Sequence, residues 1–148
     1  MYKKILICGL PGAGKTTLAR ALAPRLNAVH FNADEIRQNI NKELGFSDAD
    51  RLEQARRMGW LCSQVVAAGH FAVSDFVCPT EGTRAAFGPG FVIWINRILQ
   101  SRFADTNRIF TPPLNYNVEI KAGLTPQEEV ELVLSELKKK LDGFEYLI

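Results

Sequence analysis

Cysteine is scarce in this chain. Cys8, Cys62 and Cys78 are an odd number and show no paired metal-ligand spacing. A disulfide framework and a zinc module are therefore excluded, and the three read as buried free thiols in a reducing compartment. No apolar run approaches the ~18 residues needed to cross a bilayer, so no membrane partner is expected. The apolar run at residues 1–10 stops at Pro11 and Gly12 and does not read as a signal peptide. The expected location is cytoplasmic, the host cytoplasm if the chain is viral. Excess charge is also lacking: 18 Lys and Arg against 16 Asp and Glu leave +2. That is no strong nucleic-acid footprint, though it leaves room for a local basic patch. Repeats, low-complexity tracts and linkers are absent. The 148 residues, 47% hydrophobic and 23% charged, suit one domain over 1–148 with its own buried core. Nothing in them speaks to oligomeric state.

Short apolar runs alternate with helical patterns. Residues 3–8 read as a strand buried on both faces, followed by a turn-rich loop over 9–14. A helix from Lys15 carries Leu18, Leu22 and Leu26 on one face, with Pro24 expected to bend it or end it early. Residues 28–32 suit a second strand and 34–44 a short helix stopped near Gly45. Ser47 and Asp50 form an N-cap pair for a long helix with Leu52, Ala55, Gly59, Cys62 and Val66 on its inner face, ended by Gly69. Strands are expected at 71–77, 90–95 and 115–120, and a brief helix at 80–87. Residues 96–114 are polar and irregular and hold Arg97, Arg102 and Arg108. Thr125 as N-cap, Pro126 at the first position and Glu128 closing a capping box announce the last helix, with Val130, Val133, Leu134, Leu137 and Leu141 inward. His30 and His70 read as structural, Trp60 and Trp94 as core.

Gly9-Leu10-Pro11-Gly12-Ala13-Gly14-Lys15-Thr16 fills every fixed position of G-x-x-x-x-G-K-[ST]. Glycines let backbone N–H groups curl around a polyphosphate, and the next helix points its N-terminus at the same anion. Lys15 then neutralises β- and γ-oxygens, the Thr16 hydroxyl helps hold Mg²⁺, and Thr17 continues the cradle. The strand before and the helix after are the context the motif needs. The expected architecture is α/β: a three-layer P-loop NTPase fold of the nucleotide-kinase kind, with a five-stranded parallel sheet and the site at the strands' carboxyl ends. A guanine-reading Asn-Lys-x-Asp segment is missing, since Asn41-Lys42-Glu43 lacks its Asp, and the chain is short for a motor or transporter. A kinase using ATP and Mg²⁺ is expected.

The order of motifs resembles adenylylsulfate (APS) kinase over about residues 4–95, and again near Pro112. Asn32-Ala33-Asp34-Glu35-Ile36-Arg37 is similar to that family's Asp-Gly-Asp-Asn-[Ile/Val]-Arg. Leu44-Gly45-Phe46-Ser47, with Asp50, Arg51, Glu53, Arg56 and Arg57, follows its Leu-Gly-Phe-Ser-x-x-Asp-Arg-x-Glu-Asn-x-Arg-Arg, except that Gln54 stands for Asn. Asp75-Phe76-Val77-Cys78-Pro79 and Arg84 look like its Ser/Ala-Phe-Ile-Ser-Pro and a later Arg. The resemblance implies Asp34 beside the acceptor hydroxyl, where it also reads as a helix cap. It implies Arg37 and Arg51 on an acceptor phosphosulfate, Phe46 stacked on adenine, and Gln54 and Arg84 on the acceptor side. Asn32 replaces an acidic residue, and Asp75 stands where a carboxylate would meet Mg²⁺.

The family's Arg-Asp-x-Lys-Gly-Leu-Tyr lid is replaced by a shorter segment at about 97–114, from which Arg102 is the favoured arginine for the transferring phosphoryl. A trimmed lid implies an open cleft. Similar lid-trimmed kinases act on 5-hydroxymethyluracil within phage DNA. The leading expectation is thus phosphorylation of the hydroxymethyl group of that base in DNA, with Arg37, Arg51, Arg56, Arg57, Arg84, Arg97, Arg102 and Arg108 as a backbone path. The alternative acceptor is the 3′-hydroxyl of APS, a small adenine nucleotide. A non-catalytic nucleotide-binding module is the lesser alternative.

Overall fold

A computed structural model describes residues 1–98 and 100–141. Leu99, within the expected lid, and residues 142–148 of the expected domain lie outside it. Five strands, β1 (Lys4–Cys8), β2 (Val29–Asn32), β3 (Ala72–Asp75), β4 (Phe91–Ile95) and β5 (Val118–Ile120), form one sheet in the order β2-β3-β1-β4-β5. All four pairings are parallel. The central β1 is buried at all five positions, which is why its sequence is a continuous apolar run rather than an alternating one.

Helices cover both faces. On one, α1 (Lys15–Leu26) and α6 (Pro126–Lys138) bring Leu18, Leu22, Leu26, Val130, Val133, Leu134 and Leu137 against Ile5, Ile7 and Ile93. On the other, α3 (Asp48–Ala67) and α4 (Glu81–Phe87) bring Ala55, Met58, Cys62 and Phe87 against Leu6, Cys8 and Ala72. The three cysteines are buried and free. Among the described residues, no helix is long and apolar enough to cross a membrane.

Local signals explain the boundaries, including those that depart from expectation. α1 runs through Pro24 and ends two residues later: a proline in the last turn disturbs little, and Asn27 closes the helix in a left-handed conformation, its N–H reaching Ala23 and Pro24 carbonyls. The helix expected over 34–44 is shorter. α2 (Ala33–Asn39) stops because the N–H groups of both Ile40 and Asn41 turn back to the Ile36 carbonyl. β3 and β5 are shorter than expected, and residues 104–109 form a short helix, α5 (Ala104–Ile109), inside the stretch expected to be irregular. The Thr125 capping box and Pro126 are as expected. Trp60 is 57% exposed rather than core, and Leu52 faces solvent as well.

α3 and α4 approach so closely that a Cβ on Gly59 would stand 2.0 Å from the Phe87 carbonyl oxygen. Helix propensity alone favours alanine there by about 1 kcal/mol. A clash with backbone cannot be relieved by a rotamer change, so we expect Gly59→Ala to destabilise the fold by about 2–3 kcal/mol. Urea unfolding checks this, and an unchanged or raised midpoint would show that the two helices can part.

Candidate active site

β1 delivers the chain at Cys8 to the loop Gly9–Gly14. The loop is pulled tight by an Ala13 N–H bond to the Leu10 carbonyl (3.1 Å). Gly12 (φ 82°) and Gly14 (φ 99°) take left-handed conformations that L side chains rarely adopt. α1 then starts with no side-chain cap. Among the described residues, the N–H groups of Lys15, Thr16 and Thr17 have no hydrogen-bond acceptor. Those free donors and the positive end of the helix make an anion cradle. Gly9, Leu10, Gly12, Ala13, Gly14 and Thr17 form its frame, while Pro11, Lys15 and Thr16 line the adjoining cavity. Lys15 is 8% exposed and its Nζ donates to the Leu10 carbonyl (2.8 Å). Burial draws its ammonium down to about 8, against the opposing pull of Asp75, Cys8 and Asp34.

Sheet register assembles the next group. Asp75 at the end of β3 lies opposite Ile7 on one side and Asn32 on the other. Its Oδ1 accepts from Thr16 Oγ1 (2.8 Å) and Asn32 Nδ2 (3.1 Å), and its Oδ2 accepts from His30 Nε2. Asn32 Nδ2 also donates to Thr16 Oγ1 (3.2 Å), and Asn32 Oδ1 caps α2 by accepting from the Glu35 N–H (3.0 Å). The amide at 32 is therefore more than a lost acid: it supplies donors that a second carboxylate could not. Asn32, not Asp34, is the cap. Thr16 and Asp75 are hard oxygen donors of the kind that suits Mg²⁺, an ion that leans on few carboxylates plus phosphate and water. Among the described residues, no cluster of three or more His, Cys, Asp or Glu that could hold a metal occurs. His30, expected to be merely structural, sits in this group; its only sequence signal is its place two residues before Asn32, on the same face of β2.

A cavity of about 800 Å³ joins this group to the α2–α3 side, lined by Lys15, Thr16, Asn32, Asp34, Arg37, Phe46, Arg51, Gln54, Asp75 and Arg102 among others. Asp34, in the first turn of α2, is exposed and has no hydrogen-bond or ion-pair partner among the described residues. Phe46 is 65% exposed. The Arg37 and Arg51 guanidiniums lie 4.3 and 5.5 Å from its ring centroid. Neither forms an ion pair among the described residues, and the pKa of Arg37 is lowered by burial and then by Arg51 itself. Both also brace the wall: Arg37 donates to the Gly45 carbonyl (2.6 Å) and Arg51 to that of Phe46 (2.9 Å). Gln54 is buried, holding Asn41 (2.9 Å) and the Ala33 carbonyl (3.4 Å). Arg84 is placed elsewhere than expected. It does not line the cavity, because its guanidinium is taken up by Glu81 (2.8 Å) and the Thr111 carbonyl.

Two expectations behind a polymeric acceptor fail on geometry. The trimmed lid does not leave that wall bare, since residues 102–106, with the start of α5, line the cavity. Nor do the eight arginines of the expected path form a basic track among the described residues: Arg56 and Arg57 pair with Glu53, Arg84 with Glu81, Arg97 with Glu129 and Arg108 with Asp105. Of the lid arginines only Arg102 lines the cavity.

The adenylylsulphate kinase family profile matches residues 2–88. An adenylyl-sulfate kinase of Gloeothece citriformis is 29% identical, covering 97% of this chain and 96% of its own length. One from a Shewanella species is 40% identical over 60% of this chain and 47% of its own. In fold, the chain matches the Mycobacterium tuberculosis APS kinase solved with AMPPNP and APS at a TM-score of 0.83, with 21% identity over 93% of this chain and 98% of that one. A Sinorhizobium meliloti gluconokinase matches at 0.72, with 13% identity over 97% and 95%. The family match and these relatives overturn the expectation that the acceptor is a hydroxymethylated base in DNA.

The hydrogen bonding at Asn32 yields a test. Asn32→Asp removes two donated bonds and sets a second carboxylate against Asp75. In chelator it should destabilise the protein by about 1–2 kcal/mol, with excess Mg²⁺ recovering part of the loss. Urea midpoints with and without Mg²⁺ measure this. A variant as stable as the parent in chelator would show that the amide donors do not matter.

Proposed function

The chain belongs to the adenylylsulphate kinase family, and from that premise we propose that it transfers the γ-phosphoryl group of ATP to the 3′-hydroxyl of APS. It is an ATP-dependent phosphotransferase with an alcohol acceptor, not a non-catalytic module. The observation that carries the finer reading is the pairing of two ends of one cavity. At one end Lys15 adjoins the free N–H groups of the phosphate loop. At the other, the unpaired Arg37 and Arg51 converge on the exposed Phe46, with Asp34 between the ends.

Each group has a task that follows from its chemistry. The loop amides and Lys15 bind the β- and γ-phosphates, as P-loop sites do. Thr16 and Asp75 would hold Mg²⁺, which when bound neutralises charge on those phosphates. Phe46 offers a face to the acceptor's adenine. Arg37 and Arg51, whose mutual repulsion an anion relieves, take its phosphosulfate. Asp34 accepts the hydrogen bond of the 3′-hydroxyl and takes its proton as that oxygen bonds to the γ-phosphorus and the bond to the β–γ bridging oxygen breaks, releasing ADP. Arg102 supplies charge to the transferring group.

Offering APS with γ-labelled ATP tests the acceptor directly: label should appear in a 3′-phosphorylated product, and none would sink the reading. In the same assay Lys15→Ala should abolish transfer without loss of far-UV dichroism. Asp34→Asn should lower turnover by about 10²-fold with ATP affinity far less changed. If ATP affinity collapses while turnover per bound ATP survives, Asp34 is not the base.

A further inference from the structure

Resting on the donor-site reading above, we infer that His30 is a positioning residue for the Asp75 carboxylate, fixing the plane in which Asp75 faces the magnesium position beside Thr16. Asp75 is 2% exposed and its two oxygens are treated differently. Oδ1 accepts from Thr16 and Asn32, both at the phosphate-loop side. Oδ2 accepts from His30 Nε2. Bonds to one oxygen leave a carboxylate free to swing about its terminal torsion, which has broad wells. A donor on the second oxygen removes that freedom.

His30 is well built for this. It lies on the same face of β2 as Asn32, which the register sets opposite Asp75. Its side chain is only 19% exposed, so solvent contributes little to its orientation. β2 is at the edge of the sheet, and without the imidazole the Oδ2 side would face water, which can satisfy that oxygen without fixing it. Donors behind a metal-binding carboxylate generally matter to metal affinity for this reason.

The rival possibility is that His30 only fills space or supports the fold. The two separate by measuring ATP binding calorimetrically in Mg²⁺ and in chelator, for the parent, His30→Ala, His30→Gln, Asp75→Ser and the Ala/Ser double variant, each checked for its far-UV dichroism. His30→Ala should reduce the Mg²⁺-dependent gain in ATP affinity about tenfold and leave affinity in chelator unchanged. His30→Gln, which keeps an N–H donor, should recover most of that gain. In the Asp75→Ser background the His30 change should add nothing. Should His30→Ala fail to fold, His30→Leu fills the space without a donor and takes its place. An equal loss in both media, or an effect that persists without Asp75, overturns the inference. A parent protein with no Mg²⁺-dependent gain at all sinks the donor-site reading and this inference with it, and Lys15→Ala, if it too leaves ATP binding unchanged, identifies that failure.

Discussion

The alignment of three parallel strand ends organises the reactive side of this molecule. Ile7, Asp75 and Asn32 stand side by side across β1, β3 and β2. β1 turns directly into the phosphate loop, so a carboxylate at the end of β3 meets the Thr16 hydroxyl, and an amide at the end of β2 meets both. In a parallel sheet with a side-chain period of two, a slip of one residue would turn Asp75 to the other face and break all of these contacts together. The register is secured by a core on both faces of the sheet. The chemistry thus depends on packing some distance from it, including the close α3–α4 contact at Gly59.

What could be read from the sequence follows from how local each determinant is. The phosphate loop and the Thr125 capping box are complete within a few residues, and both stand in the structure where their patterns put them. The alternation of strands and helices was enough for the parallel sheet. Boundaries set by longer-range contacts were not legible. Past the end of α2, Asn41 is also held in a buried pair with Gln54, thirteen residues on. α5 is a helix of only six residues whose start carries no side-chain cap. Trp60 carries a core-like side chain on the solvent face of α3. The contact of His30 is not legible locally because it lies in a neighbouring strand: the Asp75 it meets is 45 positions away.

Net charge proved a weak guide until pairing was known. Counting arginines suggested a basic surface, but five of the eight considered are offset by carboxylates from their own or neighbouring elements. Arg37, Arg51 and Arg102 remain, and all three line one cavity. A dispersed basic path suits a polymer of phosphates; three guanidiniums in one recess, none in an ion pair among the described residues, suit a compact anion. This contrast, which is invisible to composition, agrees with the family match in favouring a small acceptor.

The stretch expected to be a shortened lid is tied down at both ends and in between. Arg97 at its start pairs with buried Glu129 on α6, and the Thr111 carbonyl near its end accepts from Arg84. Between them Asn107 closes the turn through Ser101, accepting from its N–H (2.7 Å) and donating to its carbonyl (2.8 Å). The tie from α3 to α5 is the longest of these contacts, Arg51 to the Thr106 hydroxyl at 3.4 Å. An N–H···O contact of that length is near the limit of a useful hydrogen bond. Arg51 therefore ties α5 only weakly, while its guanidinium, in no ion pair among the described residues, lines the cavity. Ties at both ends and the Ser101–Asn107 turn between them place residues 102–106 along the cavity wall.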